Sequence, residues 1–204
     1  ETIRATKTIE DTQKTEMDRV NAEQSVEPIY EYQEDIKNQR LSYMKLFFEI
    51  INAAKLDIEK LGEESNETKQ LELLNERLKT LENEQLAVNL SNEQKRAILS
   101  ATSDEIATAE TELLKLVEPV LAEAIGEEQL TDRKNQLEER INSNGLIPST
   151  LTTIVVKLAR TAIVPTKVLN EQKTEEAKKL AVNSVEPTRI IQGQIIVLEG
   201  EVVQ

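Results

Sequence analysis

The chain has neither cysteine nor histidine among its 204 residues. Without cysteine there is no disulfide framework, no thiolate metal site and no sulfur nucleophile. Without histidine there is no Ser–His triad and no His-ligated zinc, so this stretch is a poor candidate for catalysis. Aromatic residues make up only 2 %, which leaves Leu, Ile, Val and Ala to build a core. Five Gly and five Pro fall well below the roughly 12 % of average usage, and few breakers imply long helices. No run reaches the ~18 apolar residues that a membrane-spanning helix needs. The best, "TLTTIVVKLARTAIV" over 150–164, carries Lys157 and Arg160 in its middle. Basic residues are also scarce: 25 Lys and Arg against 38 Asp and Glu give a net charge of −13. That field repels a nucleic-acid backbone, and no polybasic cluster offers a dock for anionic lipid. The Gly-x-x-x-x-Gly-Lys loop, the Gly-x-Ser-x-Gly elbow and the EF-hand pattern are missing too. The chain begins at Glu1 without a signal-peptide pattern and reads as a soluble segment of something longer.

What the sequence does have is a phrase used twice. Residues 14–28 read "KTEMDRVNAEQSVEP" and residues 173–187 read "KTEEAKKLAVNSVEP", identical at eight of fifteen positions without a gap. The lead-ins "IRATKTIEDTQ" and "IVPTKVLNEQ" align with a one-residue gap. In the first copy "TIRATKTI" is strand-like, and Thr15 is expected as a helix N-cap with Glu16 and Asp18 in the first turn. The helix should run to about Ser25, after which Pro28 returns "EPIYEY" to an extended course. The second copy ends in "TRIIQGQIIVLEGEVV", where two β-branched runs flank Gln192–Gly193 and suggest a hairpin. Gly193 and Gly200 are expected in turns or bulges.

Two separate strand–helix–strand units leave strand edges open and bury little apolar surface alone. Pairing them is one economical solution. The expected class is α+β, mostly α-helical. Residues 1–34 and 163–204 would form one small α/β lobe, with residues 35–162 inserted as a helical lobe. A segment whose ends meet on one side is suited to hang from a membrane by both.

Within the insertion, Leu41, Met44, Phe48, Ile51, Lys55, Ile58 and Leu61 step by three and four, with Phe47 and Ala54 widening the stripe. Lys55 interrupts it, its stem expected to cover apolar surface while the charge reaches water. Gly62 should end that helix. Leu71, Leu74, Leu78 and Leu81 mark a second, facing it as an antiparallel hairpin. Such faces serve either internal packing or a coiled-coil interface. Ser91 with Gln94, and Thr102 with Glu105, are capping boxes. Pro119 should kink or restart the following helix, Gly126 should stop it, and Thr131 can cap the next. A last helix is expected from about Ser149 to Ala162.

The order "IRAT…KTE…SVEPIYEY", a long helix, "IVPT…KTEEAKKLAVNSVEP" and "GQIIVLEGEVV" resembles the extracellular domain of bacterial seven-transmembrane HD-hydrolase receptors, over essentially the whole chain. The family-like positions are Thr15, Ala22, Val26, Pro28 and Tyr30 in the first copy. In the second they are Pro165, Thr174, Ala181, Val185, Pro187, Gly193, Ile196 and Gly200. Two departures stand out: Thr166 follows Pro165 where the family commonly has Asn, and the glycine-containing strand that usually precedes "IRA" would lie before Glu1. The resemblance implies a parent with one transmembrane helix before this domain, seven after it, and a cytoplasmic HD domain similar to cyclic di-AMP phosphodiesterases. It implies a divalent metal in that HD domain, and no cofactor or metal in this segment. Localisation would be the extracytoplasmic face of a bacterial membrane.

The reading that follows is a non-catalytic sensory or regulatory domain, coupled to the flanking transmembrane helices and responding to a small ligand or a cell-envelope protein. The alternative is a structural interaction module in which the 41–61 and 71–81 helices form a homodimer or bind an envelope protein. A ligand pocket between the copies could use Tyr30, Tyr32 and Arg189, for which core packing or a solvated edge is the competing explanation. The "GEE" pairs at 62–64 and 126–128 could hold a hard cation or simply solvate helix ends.

Overall fold

The structure, a computed structural model, describes residues 3–62, 66–81 and 88–197. The first elements are β1 (Ile3–Arg4), β2 (Ile9–Glu10), α1 (Thr12–Gln24) and β3 (Tyr30–Tyr32). They are followed by α2 (Glu34–Lys60), α3 (Glu67–Lys79), α4 (Asn92–Ser100) and α5 (Ser103–Leu121). A 3-10 turn at Glu127–Gln129 leads into α6 (Leu130–Asn142) and α7 (Thr152–Ala162). After these come β4 (Lys167–Leu169), α8 (Glu171–Asn183), β5 (Arg189–Ile190) and β6 (Ile195–Val197). The class is α+β and mostly helical, with short strands paired as β1–β6, β2–β5 and β3–β4. The chain divides into a smaller unit, residues 1–30 with 169–204, and a larger one, residues 31–168.

The larger unit holds the apolar core, and composition dictates its character. Met44, Phe47, Phe48, Ile51 and Ala54 of α2 are buried, with Phe47 and Phe48 edge to face at 5.4 Å. Around them lie Leu74 of α3, Leu113 and Val117 of α5, Leu137 and Ile141 of α6, and Val155 and Leu158 of α7. Nearly every member is aliphatic, as so few aromatics require. The stripes expected on α2 and α3 are therefore used inside this unit, leaving Leu56 as the exposed large apolar residue of α2. At the end of α2, Gly62 takes φ +54°, the left-handed C-terminal stop that glycine makes without a Cβ penalty. Both capping boxes form: Ser91 with Gln94 begins α4, and Thr102 with Glu105 begins α5.

Several local expectations are corrected. Helix α5 runs through Pro119 without a restart and ends at Leu121, short of Gly126. Proline there removes only the amide that would bond Lys115 C=O, and both residues are on the exposed side, where water can serve that carbonyl. Thr131 is no cap, because α6 begins at Leu130 directly from the 3-10 turn and Gln129 precedes it without a side-chain bond. The last helix of this unit starts at Thr152 rather than Ser149. Lys55 does not send its charge to water. Its Nζ donates to the carbonyls of Ile98 (3.4 Å), Leu99 (3.1 Å) and Ala101, at the C-terminal end of α4. These are the carbonyls that a helix end leaves without internal partners, and a cation there also meets the negative end of the helix dipole. Burial pushes the Lys55 amine below its ordinary pKa.

Several carboxylates add a pH dependence. Arg77, then Lys60, hold Asp57 below its ordinary pKa, and Lys115 with Asn144 do the same for the buried Glu112. A carboxyl depressed in the folded state adds stability above its unfolded pKa and loses it as pH falls through the folded value. Glu110 works the other way: burial, then Glu49, raise its pKa, so its ionised form opposes folding at neutral pH and that opposition is relieved on acidification. Urea unfolding should therefore show stability falling below pH ~4, with Asp57→Asn flattening the fall. At pH 7, Lys55→Met keeps the apolar stem but leaves three carbonyls without their donor, and should cost about 1–3 kcal/mol in the same measurement.

Candidate functional site

The repeated phrase builds a reciprocal pair of hydrogen bonds in the smaller unit. Asp11, not Thr15, caps α1, its Oδ1 accepting from Lys14 N–H at 2.9 Å. Thr15 lies one turn further in and is buried. Its Oγ1 donates to Asp11 C=O at 2.6 Å and accepts from Thr188 N–H at 3.0 Å. The second copy repeats each step. Asn170 caps α8, accepting from Lys173 N–H at 2.9 Å. Thr174 Oγ1 donates to Asn170 C=O at 2.8 Å and accepts from Ile29 N–H at 3.0 Å. Each threonine thus receives the amide that follows the Val-Glu-Pro of the other copy. Backbone bonds close both rings, Asp11 N–H to Thr188 C=O and Asn170 N–H to Ile29 C=O, each 2.8 Å. A threonine can do this because its hydroxyl both donates and accepts. Pro28 and Pro187 hold the preceding residue extended, so the chain leaves each helix with the next N–H directed at the other copy.

The strands complete the arrangement. Strand β2 pairs antiparallel with β5 through Ile9↔Ile190 and Glu10↔Arg189. Strand β1 pairs antiparallel with β6 through Ile3↔Val197 and Arg4↔Ile195, with a register shift between them. Ala5 bridges the two ladders, donating to Gln194 C=O at 2.9 Å and accepting from Gly193 N–H at 2.8 Å. The expected β5–β6 hairpin is therefore corrected: each of these strands takes an N-terminal strand as its partner. Gln192–Gly193 is a corner, closed by Gln194 N–H to Ile191 C=O at 2.9 Å, with Gly193 at φ +86°. That φ suits the third residue of a type II turn, where glycine is favoured. Helices α1 and α8 pack against one another. Gly200 lies outside the described residues.

In the larger unit, one buried hydroxyl ties strand β4 to the end of α5. Thr166 Oγ1 donates to Glu123 C=O and accepts from Ile125 N–H at 2.9 Å. The amides of Thr166 and Lys167 both donate to Ile125 C=O at 3.0 Å, and Gln33 N–H donates to Thr166 C=O at 2.8 Å. Tyr32 Oη reaches the same turn, donating to Leu121 C=O at 3.2 Å. The chain enters this unit at Glu31 and leaves it after Val168, so its entry and exit are both held by one turn. Thr166 stood in the sequence only as a departure from a Pro-Asn pattern. Its signal was a lone hydroxyl between the apolar end of α7 and a strand.

Of the residues considered for a ligand pocket, Tyr30 and Arg189 belong to the smaller unit and Tyr32 to the larger. A cavity of about 600 Å³ in the larger unit is lined by Leu78, Leu81, Val88 and Leu90 with Lys79 and Lys95, and by none of those three. Among the described residues no three acidic side chains gather as a metal site would need.

Replacing Thr15 or Thr174 by Val should strand the amide of Thr188 or Ile29 respectively, at about 1–3 kcal/mol each. Serine at either position should restore most of it. Amide hydrogen exchange reads this directly: the Thr188 amide should exchange faster in Thr15→Val, and the Ile29 amide in Thr174→Val.

Comparison with known proteins places the chain. A family model described as 7TM-HD extracellular matches residues 1–204. The chain is 26 % identical over 202 residues to the protein named cyclic-di-AMP phosphodiesterase PgpH of Bacillus subtilis (strain 168), covering 99 % of this chain and 28 % of that protein. It is 28 % identical over 218 residues to the protein of the same name in Listeria monocytogenes serotype 1/2a (strain 10403S), covering 99 % of this chain and 30 % of that one. It thus spans less than a third of the length of these curated relatives. No solved structure matches it. Such a domain lies on the extracytoplasmic side of a membrane protein. With the family model covering its whole length, the chain belongs to the 7TM-HD extracellular family.

Proposed function

We propose that this chain is the non-catalytic regulatory domain of a membrane-bound HD phosphodiesterase hydrolysing cyclic di-AMP. The observation that carries this reading is the pairing of Ile3 with Val197, which sets the two chain ends side by side in one ladder. Segments attached to those ends would be displaced together, as a device feeding flanking membrane helices requires. The names of the two relatives supply the substrate. The chain offers no His for an HD metal site. The divalent metal and the hydrolysis are accordingly assigned to residues outside it, and the regulation to these.

A small ligand or cell-envelope protein drives such a domain only by favouring one of its arrangements over another. A tenfold change in the active fraction takes about 1.4 kcal/mol of differential binding, within reach of a few hydrogen bonds. The two threonine bonds make the ends respond as one body.

The test is cyclic di-AMP hydrolysis by the full-length parent in membranes, with and without residues 1–204. Deletion is expected to change the rate while insertion and expression hold, and Thr15→Val with Thr174→Val should change it in the same direction. An unchanged rate in both, with the protein correctly inserted, would overturn the regulatory role.

A further inference from the structure

The turn after α6 carries a chemistry of its own. Asn144 is the one asparagine of the chain that glycine follows. Asparagine is a thermolabile residue. The backbone nitrogen of the next residue can attack its side-chain carbonyl carbon, and a following glycine has no Cβ to hinder the approach. Asn144 is half-buried and Gly145 exposed. Gly145 N–H meets no acceptor among the described residues, so the attacking atom is free.

The group it would attack is not free. Asn144 Oδ1 accepts from Leu146 N–H at 2.8 Å and from Ile147 N–H at 3.3 Å. Asn144 Nδ2 donates to Glu112 Oε2 of α5 at 3.2 Å. Glu112 is buried, and its other oxygen accepts from Lys115 Nζ at 2.7 Å. The bond to Glu112 is a clasp between the turn and α5. Three bonds fix the carboxamide in place. A leaving nitrogen that donates to an ionised carboxylate is also poorly set to gain the proton it needs.

We propose that Asn144–Gly145 is a site of spontaneous deamidation that the Glu112 clasp holds in check, and that conversion to aspartate springs the clasp. Gly145 N bonds to Asn144 Cγ and gives up its proton, the Cγ–Nδ2 bond breaks, and Nδ2 leaves as ammonia. Water then opens the five-membered imide to aspartate or its β-linked isomer. The net exchange is water in and ammonia out, with no oxidant and no enzyme. The aspartate product has a carboxylate where Nδ2 donated. Glu112 then loses a donor and faces a like charge.

The test ages the chain in mildly alkaline buffer, native and in guanidinium chloride, and reads amide-to-acid conversion at each asparagine by peptide mass spectrometry. In denaturant Asn144 should convert first. Gly145→Ala should suppress that conversion, and open space around Gly145 accommodates the methyl group. In the native chain Asn144 should convert more slowly by about tenfold or more, the equilibrium worth of one or two hydrogen bonds. Glu112→Ala should remove most of that protection, while Asn142, two residues away, stays as it was. Equal rates in native and denatured chain, another asparagine leading in denaturant, or a comparable rise at Asn142 overturns the proposal. Should Glu112→Ala fail to fold, a second pair of variants decides. Asn144→Asp should lower the urea midpoint, and adding Glu112→Gln should recover it, because carboxylate and carboxamide change places across the same bond. An unchanged midpoint in the first, or no recovery in the second, overturns the clasp.

Discussion

The amide-to-hydroxyl bond from Thr188 to Thr15, with its counterpart from Ile29 to Thr174, is the constraint on which the smaller unit depends. That unit has almost no apolar interior: among its described residues only Ala5, Thr15 and Thr174 are buried. A domain normally coheres by removing hydrocarbon from water, at roughly 25 cal/mol per Å². Here the side chains removed from water are mostly hydroxyl-bearing, and they are fully bonded. Each bond adds only about 1 kcal/mol net, yet leaving such an amide buried and unmet costs about 1–3 kcal/mol, so its strength lies in what its loss would leave behind. The bond also fixes register. It joins the start of each helix to the strand that follows the other helix, and no shifted pairing satisfies both threonines together.

The larger unit is built on the opposite principle. Its core is continuous and aliphatic, from Met44 through Leu113 to Ile163. Several polar elements there work at ends of helices: the two capping boxes, Lys55 on the carbonyls of α4, and Thr166 on the turn after α5. Stability is not uniform across a structure, and elements that move are drawn from its weaker end. The two units therefore differ in what a single lost contact removes: one of many apolar neighbours in the larger, one of a few hydrogen bonds in the smaller.

What the sequence disclosed follows from how far each interaction reaches. The capping boxes at Ser91 and Thr102 are complete within four residues, and their pattern names them. The stripe on α2 is periodic over many turns, and the repeated phrase is visible by eye. Thr15 and Lys55 were misread for a shared reason. Local rules assign a threonine at a helix start to capping and a lysine on an apolar face to solvent. Their actual partners are Thr188 and the end of α4, which no local pattern can show. The corner at Gly193 was misread similarly, since two β-branched runs around a glycine look alike whether they pair with each other or with the start of the chain. Thr166 is the converse case, a residue that looked like a lapse from a family pattern yet is fully buried and bonded.

Duplication lets the remaining question be put physically. When one motif appears twice under the same constraints, positions that agree report what the fold needs, and positions that differ report what lies outside it. Thr15 and Thr174 agree, as do Pro28 and Pro187, and each pair takes the same place in the latch. Met17 and Glu176 differ, as do Val20 and Lys179, on surfaces the latch does not touch. Isolated apolar residues on a surface need no explanation. The exchange runs both ways, since α8 exposes Leu180 where α1 has Asn21. A duplicated motif can therefore vary its two outer surfaces independently while the bonds of its latch stay the same on both sides.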